Sequence, residues 1–433
     1  MPKPARDRLE QILARLDARA GDERVFTKLY TESARAAADA ADARVKAGRS
    51  LGPLDGNIVS IKDLFDVAGE PTLAGSIIRR DAAPAPEDAM IVQRLRRAGT
   101  VIVGKTAMTE FAFSAVGTNP HYGTPPNAAD ARRIPGGSSS GAGVSAAEGT
   151  SDIAIGSDTG GSVRIPAALN GVVGFKPTAR RVPLAGCFPL SATLDSIGPL
   201  GRTVADCAAT DAVMAGEDFA SLEPRPIAGL RIGIPQGRLL EEFDAPVAEA
   251  FERSLKMLEA AGARLADHLI EDLVGEMNAA TKAGSLAGIE AAEIHSGWLA
   301  DAQKVAAVDP NVSGPLTRRL ATTAAHYIAL MRTRTALAAR MDERLRSIDV
   351  LALPTVPMLA PAVAPLLADD ALWNRTDGML LRNPQVANQF DLTSISLPMP
   401  GSALPSGLML FARNGRDRRL LEIAAAVEAV LAS

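Results

Sequence analysis

The sequence predicts an α/β fold built as one large domain, and three observations carry that expectation. Runs rich in β-branched and aliphatic residues, such as Asn57–Ile61, Thr100–Gly104 and Asp349–Thr355, alternate with stretches whose apolar residues fall three and four apart. The alternation resumes after every loop across all 433 residues, and neither an internal repeat nor a low-complexity linker divides it. Hydrophobic residues make up 47% and charged residues 22%, the balance of an ordinary soluble chain with a sizeable core. A net charge of −4 supplies no basic face for nucleic acid and no polybasic membrane anchor. The expected partner is a small neutral or weakly charged molecule and, at most, a second copy of the chain. Two cysteines, Cys187 and Cys207, make no disulfide framework and fit a reducing cytoplasm.

Residues 1–48 are Ala- and Arg-rich with helical spacing, and predict an N-terminal arm of two or three amphipathic helices packed on the outside. They build no signal-type apolar core, so a cytoplasmic location is expected. Asn57–Ile61 then reads as a strand that ends in Lys62-Asp63. A lone ammonium costs several kcal/mol to bury unless it is paired or neutral; a lysine snorkelling to the surface is the ordinary alternative. Asp88–Ala98 reads as a helix and Thr100–Gly104 as a strand. Gly99 to Thr106 matches G-x-x-x-x-G-K-[ST] letter by letter, yet a helix precedes the first glycine and strand formers fill the gap, so no nucleotide site is expected. Phe111–Asn127 is a loop with aromatics and prolines, suited to lining a pocket, with His121 expected to be a packed loop residue.

Between Arg133 and Arg164 two Gly-Gly-Ser corners, Gly136-Gly137-Ser138 and Gly160-Gly161-Ser162, bracket a small-residue helix (139–149) and a strand (152–156). Glycine corners let amides and a hydroxyl approach a ligand closely, so the pair points to a nucleophile site, although either corner alone reads as a surface turn. A short helix (AALNG) and a strand (VVGFKP) follow, and Leu194–Leu200 reads as turn-rich, returning toward the site. From Pro226 the pattern is strand, helix (247–262), strand, helical runs to about 347, then the Asp349–Thr355 strand and a closing amphipathic helix. Four prolines between Val350 and Ala368 rule out a spanning helix there. His268, His295 and His326 lack metal-ligand spacing, so no metal and no cofactor is expected.

Lys62 in VSIKD, the run PGGSSSGAGVSAA and the run GSDTGGSVRIPAALNGVVGFKPT together resemble the amidase signature family, and further matches follow in family order along nearly the whole chain. The resemblance implies a single α/β/α domain over 1–433 around a large, mixed, mainly parallel sheet, and a cofactor-independent hydrolase of a small carboxamide. By position, Ser162 matches the nucleophile, Ser138 a serine in a cis peptide and Lys62 the base. The two serines lie twenty-four residues apart, the family's spacing. Ser140 stands where glycine is common, which should alter packing only. Ala112 and Phe113 fall where the family lines its acyl pocket.

The residue types suit such a reaction. A serine hydroxyl needs a base, and lysine serves only with a depressed pKa, which burial supplies. Thr159, Gly160, Gly161 and Ser162 offer successive amides to an oxyanion. Asp158 and Arg164 are expected to hold that turn as a hydrogen-bonded or ionic pair. The alternative within the resemblance is the glutaminase (A) subunit of a tRNA-dependent amidotransferase, which works with partner subunits.

Overall fold

Eleven strands pair into one sheet in the computed structural model, which describes residues 3–433. In chain order they are β1 (Phe26–Leu29), β2 (Ile58–Lys62), β3 (Val101–Thr106), β4 (Ile153–Asp158), β5 (Val173–Lys176), β6 (Ser196–Gly201), β7 (Arg231–Pro235), β8 (Arg264–His268), β9 (Val350–Pro354), β10 (Thr393–Pro398) and β11 (Gly407–Ala412). Across the sheet the order is β1-β3-β2-β4-β6-β5-β10-β11-β9-β7-β8.

Helices cover both faces, and the strand sequences require it. In β9, Leu351 and Leu353 enter one hydrophobic cluster while Val350 and Ala352 enter another; in β11, Met409 and Phe411 join the first, Leu408 and Leu410 the second. Successive side chains point to opposite faces, so a strand apolar at every position must be buried on both sides. Helices Val204–Ala215, Ala245–Ala260 and Asp417–Leu431 supply one cover; Glu271–Ala280 and Ala324–Arg344 contribute to the other.

The sheet is mixed, as the resemblance implied, but it is not mainly parallel. Six of its ten ladders are antiparallel; only β2–β3, β2–β4, β7–β8 and β7–β9 run parallel. Antiparallel partners need no helical crossover, so β10 and β11 form a hairpin and β6 lies antiparallel between β4 and β5. Two other expectations change. The N-terminal arm has two helices, Ala5–Asp17 and Thr31–Lys46, packed on Ile58, Val101 and Val103, but between them β1 joins the sheet edge, a four-residue strand too short to show a period. Leu194–Leu200 is mostly β6; Gly198 and Pro199 look like breakers, yet a Cβ on Gly198 would lie 2.0 Å from the Phe175 carbonyl oxygen, so the strand needs glycine there.

The P-loop look-alike is β3, with Lys105 buried 3.2 Å from a Glu70 oxygen and 3.7 Å from one of Asp63. Among the described residues no helix is long and apolar enough to cross a membrane, and no group of three or more His, Cys, Asp or Glu side chains is placed to hold a metal ion.

Candidate active site

β2 and β4 are parallel neighbours, so their carboxyl ends emerge side by side, the usual position for a site in an α/β sheet. β2 ends in Lys62 and β4 in Ser157-Asp158. Lys62 is fully buried, and its Nζ donates to Ser138 Oγ at 2.7 Å and to Ser157 Oγ at 2.9 Å. Burial pulls the amine down to about 7, against the opposing influence of Cys187, Asp195 and Asp158. A neutral amine has a lone pair, and the 2.7 Å contact then lets it accept the Ser138 proton.

Ser138 reaches this position through a bent stretch: Gly136 has φ 73° and the Gly137–Ser138 peptide is cis. Backbone bonds fix it on both sides, from Gly137 N to Ala115 O at 2.7 Å, from Thr109 N to Ser138 O at 3.2 Å and from Ser139 N to Ser162 O at 3.3 Å. The last of these joins the two Gly-Gly-Ser corners directly. Ser140 opens helix Ser140–Glu148 and donates its hydroxyl to Ala107 O at 3.3 Å.

The second corner is organised by Asp158. Its carboxylate accepts the amides of Gly161 at 2.9 Å and Val163 at 3.1 Å, and the Arg164 guanidinium at 2.8 and 3.0 Å. Burial raises this carboxyl, but Arg164, together with Lys176 and the Asn388 hydrogen bond, outweighs it and holds the pKa down at about 2. Arg164 is itself fully buried and also donates to Pro384 O and to Asn388 Oδ1, each at 2.8 Å. The expected pair is therefore the hub of the turn. One expectation fails here: the Gly161 amide, expected to face an oxyanion, is already engaged by Asp158. The amides of Thr159, Gly160 and Ser162 have no backbone acceptor among the described residues. Gly161 matters through shape, with φ 134° and no room for a Cβ, which would lie 2.6 Å from Pro384.

Ser162, 5% exposed, opens with Thr159 and Gly160 onto a cavity of about 360 Å³. Ala112 and Phe113 line it as expected, carried on a turn with φ 52° at Phe111 and 59° at Ala112. Arg318, Arg319, Arg334 and Asp377 add charge to the wall. His121 sits in its loop with Nε2 3.0 Å from Glu110 Oε2, a packed residue away from the serines.

Two residues of the site, Ser157 and Asn388, escaped sequence reading, and a third, Asp195, lies in the stretch read as returning toward the site but without a partner or role assigned to it. Ser157, the second partner of Lys62, lies inside a quoted motif, and its signal is only that β2 and β4 end together. Asn388 comes from 230 residues beyond Asp158. Asp195 is buried, which raises its carboxyl, and it accepts Thr159 Oγ1 at 2.5 Å and the amides of Leu190 and Ser191 at 2.9 and 3.0 Å. It thereby ties the Ser162 turn to the loop that carries Leu190 and Leu194 into the cavity. Asp195→Ala leaves those donors buried and unpaired, and is expected to cost about 1–3 kcal/mol for each donor that finds no water in urea unfolding, with kcat reduced as well.

The family model for amidases matches residues 7–421. The chain is 35% identical to a 2-amino-5-chloromuconic acid deaminase of Comamonas testosteroni, covering 92% of this chain and 86% of that protein. It is 34% identical to the A-type subunit of the glutamyl-tRNA(Gln) amidotransferase from Anaeromyxobacter sp. (strain K), over 97% and 92% of the two. A solved amidase structure superposes with a TM-score of 0.87 at 32% identity, over 99% of this chain and 96% of that one.

Proposed function

The chain belongs to the amidase family, and from that premise we propose that it hydrolyses a small carboxamide through an acyl-enzyme on Ser162, releasing ammonia or an amine. The observation that carries this reading is the buried Lys62 amine, lowered to about 7 and 2.7 Å from Ser138, beneath the turn that displays Ser162 in the cavity. Neutral Lys62 takes the Ser138 proton as Ser138 takes that of Ser162, and the Ser162 oxygen attacks the carbonyl carbon. The oxyanion faces the free amides of the 159–162 turn. Collapse breaks the C–N bond, the same proton returns through Ser138 to the leaving nitrogen, and water then repeats the sequence on the ester.

The side chains of Arg318 and Arg319 in the cavity wall suit an amide whose acyl part bears an acidic group, and a relative named for deaminating a muconic acid is in keeping with that. The similarity to the amidotransferase protein supports a second reading, in which the same chemistry serves glutamine and needs partner subunits. One experiment separates them. Purified chain is treated with a fluorophosphonate and mapped by mass spectrometry, then assayed for ammonia release from glutamine and from neutral and carboxylated amides. The proposal expects the adduct on Ser162 and release by the chain alone, fastest from a carboxylated amide. Release from glutamine only, and only with partner subunits added, establishes the second reading instead. A wild-type chain that takes no label on Ser162 removes both.

A further inference from the structure

We propose that Glu110 is a positioning residue that fixes two segments of the cavity wall relative to one another through a single buried carboxylate. The inference rests on the amide-hydrolysis reading above. The Glu110 side chain has no exposed surface, a rare position for a carboxylate unless its oxygens are bonded. Oε2 accepts the Asp309 amide at 2.7 Å and lies 3.0 Å from His121 Nε2; Oε1 accepts the Ser76 hydroxyl at 2.5 Å.

Each partner belongs to a different segment. Asp309 caps helix Pro310–Arg319 by accepting the Asn311 amide at 2.9 Å, and that helix brings Pro315, Arg318 and Arg319 to the cavity. Immediately after Glu110 the chain turns through positive φ at Phe111 and Ala112, and delivers Ala112 and Phe113 to the same cavity. Ser76 lies on the loop that leaves the Lys62 strand, and Ala74 on that loop accepts the Phe111 amide at 2.8 Å. Asn119 holds the His121 turn by accepting the His121 amide at 2.8 Å, and anchors it by donating Nδ2 to Gly75 O at 2.8 Å and Met108 O at 2.9 Å. Glu110 itself bonds none of Lys62, Ser138 and Ser162; its own bonds run to Ser76, His121 and Asp309. A carboxylate offers an acceptor oxygen to each of two donors, Oε2 to the Asp309 N–H and Oε1 to the Ser76 O–H, which come from different segments.

Glu110→Gln keeps the shape and replaces one acceptor oxygen by a donor. The test compares wild type and E110Q with two reagents, diisopropyl fluorophosphate and a fluorophosphonate carrying a phenylalkyl tail that occupies the cavity. Inactivation by the small reagent is expected to stay within about twofold of wild type, while the tailed reagent loses about tenfold, the loss lying in KI. On the fastest amide, KM rises about tenfold with kcat within about threefold. Ser76→Ala, a smaller change that removes one donor, is expected to move the same ratio in the same direction by about threefold and serves where E110Q folds poorly. An equal loss on both reagents, or no change on either, overturns the inference. A wild type inert to both reagents overturns the hydrolase reading and this inference with it, whereas a reactive wild type matched by its variants overturns the inference alone.

Discussion

Ser162→Ala and Lys62→Ala are each expected to lower kcat for amide hydrolysis by about 10³-fold or more, and the double variant to be little worse than either single one. In the proposed mechanism nucleophile and base act as a unit: without Lys62 nothing would accept the Ser138 proton, and without Ser162 there would be no atom to acylate. Lys62→Arg is not expected to restore activity, since a guanidinium stays protonated even where burial lowers an ammonium. The wild-type pH profile gives an independent reading of the same chemistry. The proposed mechanism needs Lys62 as the neutral amine, and its pKa is pulled to about 7 by burial. The protonated, inactive form therefore dominates below that value and kcat/KM rises with pH through it, then levels. A profile that is flat or falling between about pH 6 and 8 removes lysine as the base. Fluorophosphonate labelling of Ser162 should follow the same rise, because that reaction also needs the hydroxyl proton removed.

The parts of this arrangement that the sequence discloses are the local ones. Lys62 closes a β-branched run, and each Gly-Gly-Ser corner sits beside a helix or strand of small residues. A lysine that ends a strand reads equally well as surface until the strand is known to lie inside an eleven-stranded sheet, flanked on its two sides by β3 and β4. What stays hidden is set by pairing across long separations. The antiparallel insertion of β6 between β4 and β5 places Asp195 beside Thr159; the turn-rich sequence pointed this stretch toward the site, but the partner that Asp195 meets is set by the strand pairing. The consumption of the Gly161 amide depends on which way a turn folds around Asp158, a matter of side-chain geometry that glycine content leaves open. β1 is hidden by brevity, and the part of the cavity wall beyond Ala112 and Phe113 by its assembly from helices whose packing follows no local period.

Arg164→Met is expected to destabilise the protein by about 3–5 kcal/mol, the cost of leaving a buried carboxylate without its counter-ion. Asp158 and Arg164 are both fully buried, so neither charge can turn to water when its partner is lost. The loss spreads further than one pair. Arg164 also bonds Pro384 O and Asn388 Oδ1, and Asn388 Nδ2 in turn reaches Asp158 Oδ1 at 2.9 Å, so the segment 384–388 is held against the turn through the same guanidinium. Removing both charges does not give the relief seen where an ion pair stands alone: in Asp158→Leu with Arg164→Met, the Gly161 and Val163 amides lose their acceptor. The double variant is therefore expected to be no more stable than Arg164→Met in urea unfolding. Any folded fraction should also be slow, because those two amides set the path of the backbone on which Ser162 and the free amides of Thr159 and Gly160 are mounted. Wild-type stability in Arg164→Met, or a double variant that regains it, shows that the turn is shaped by something other than this pair.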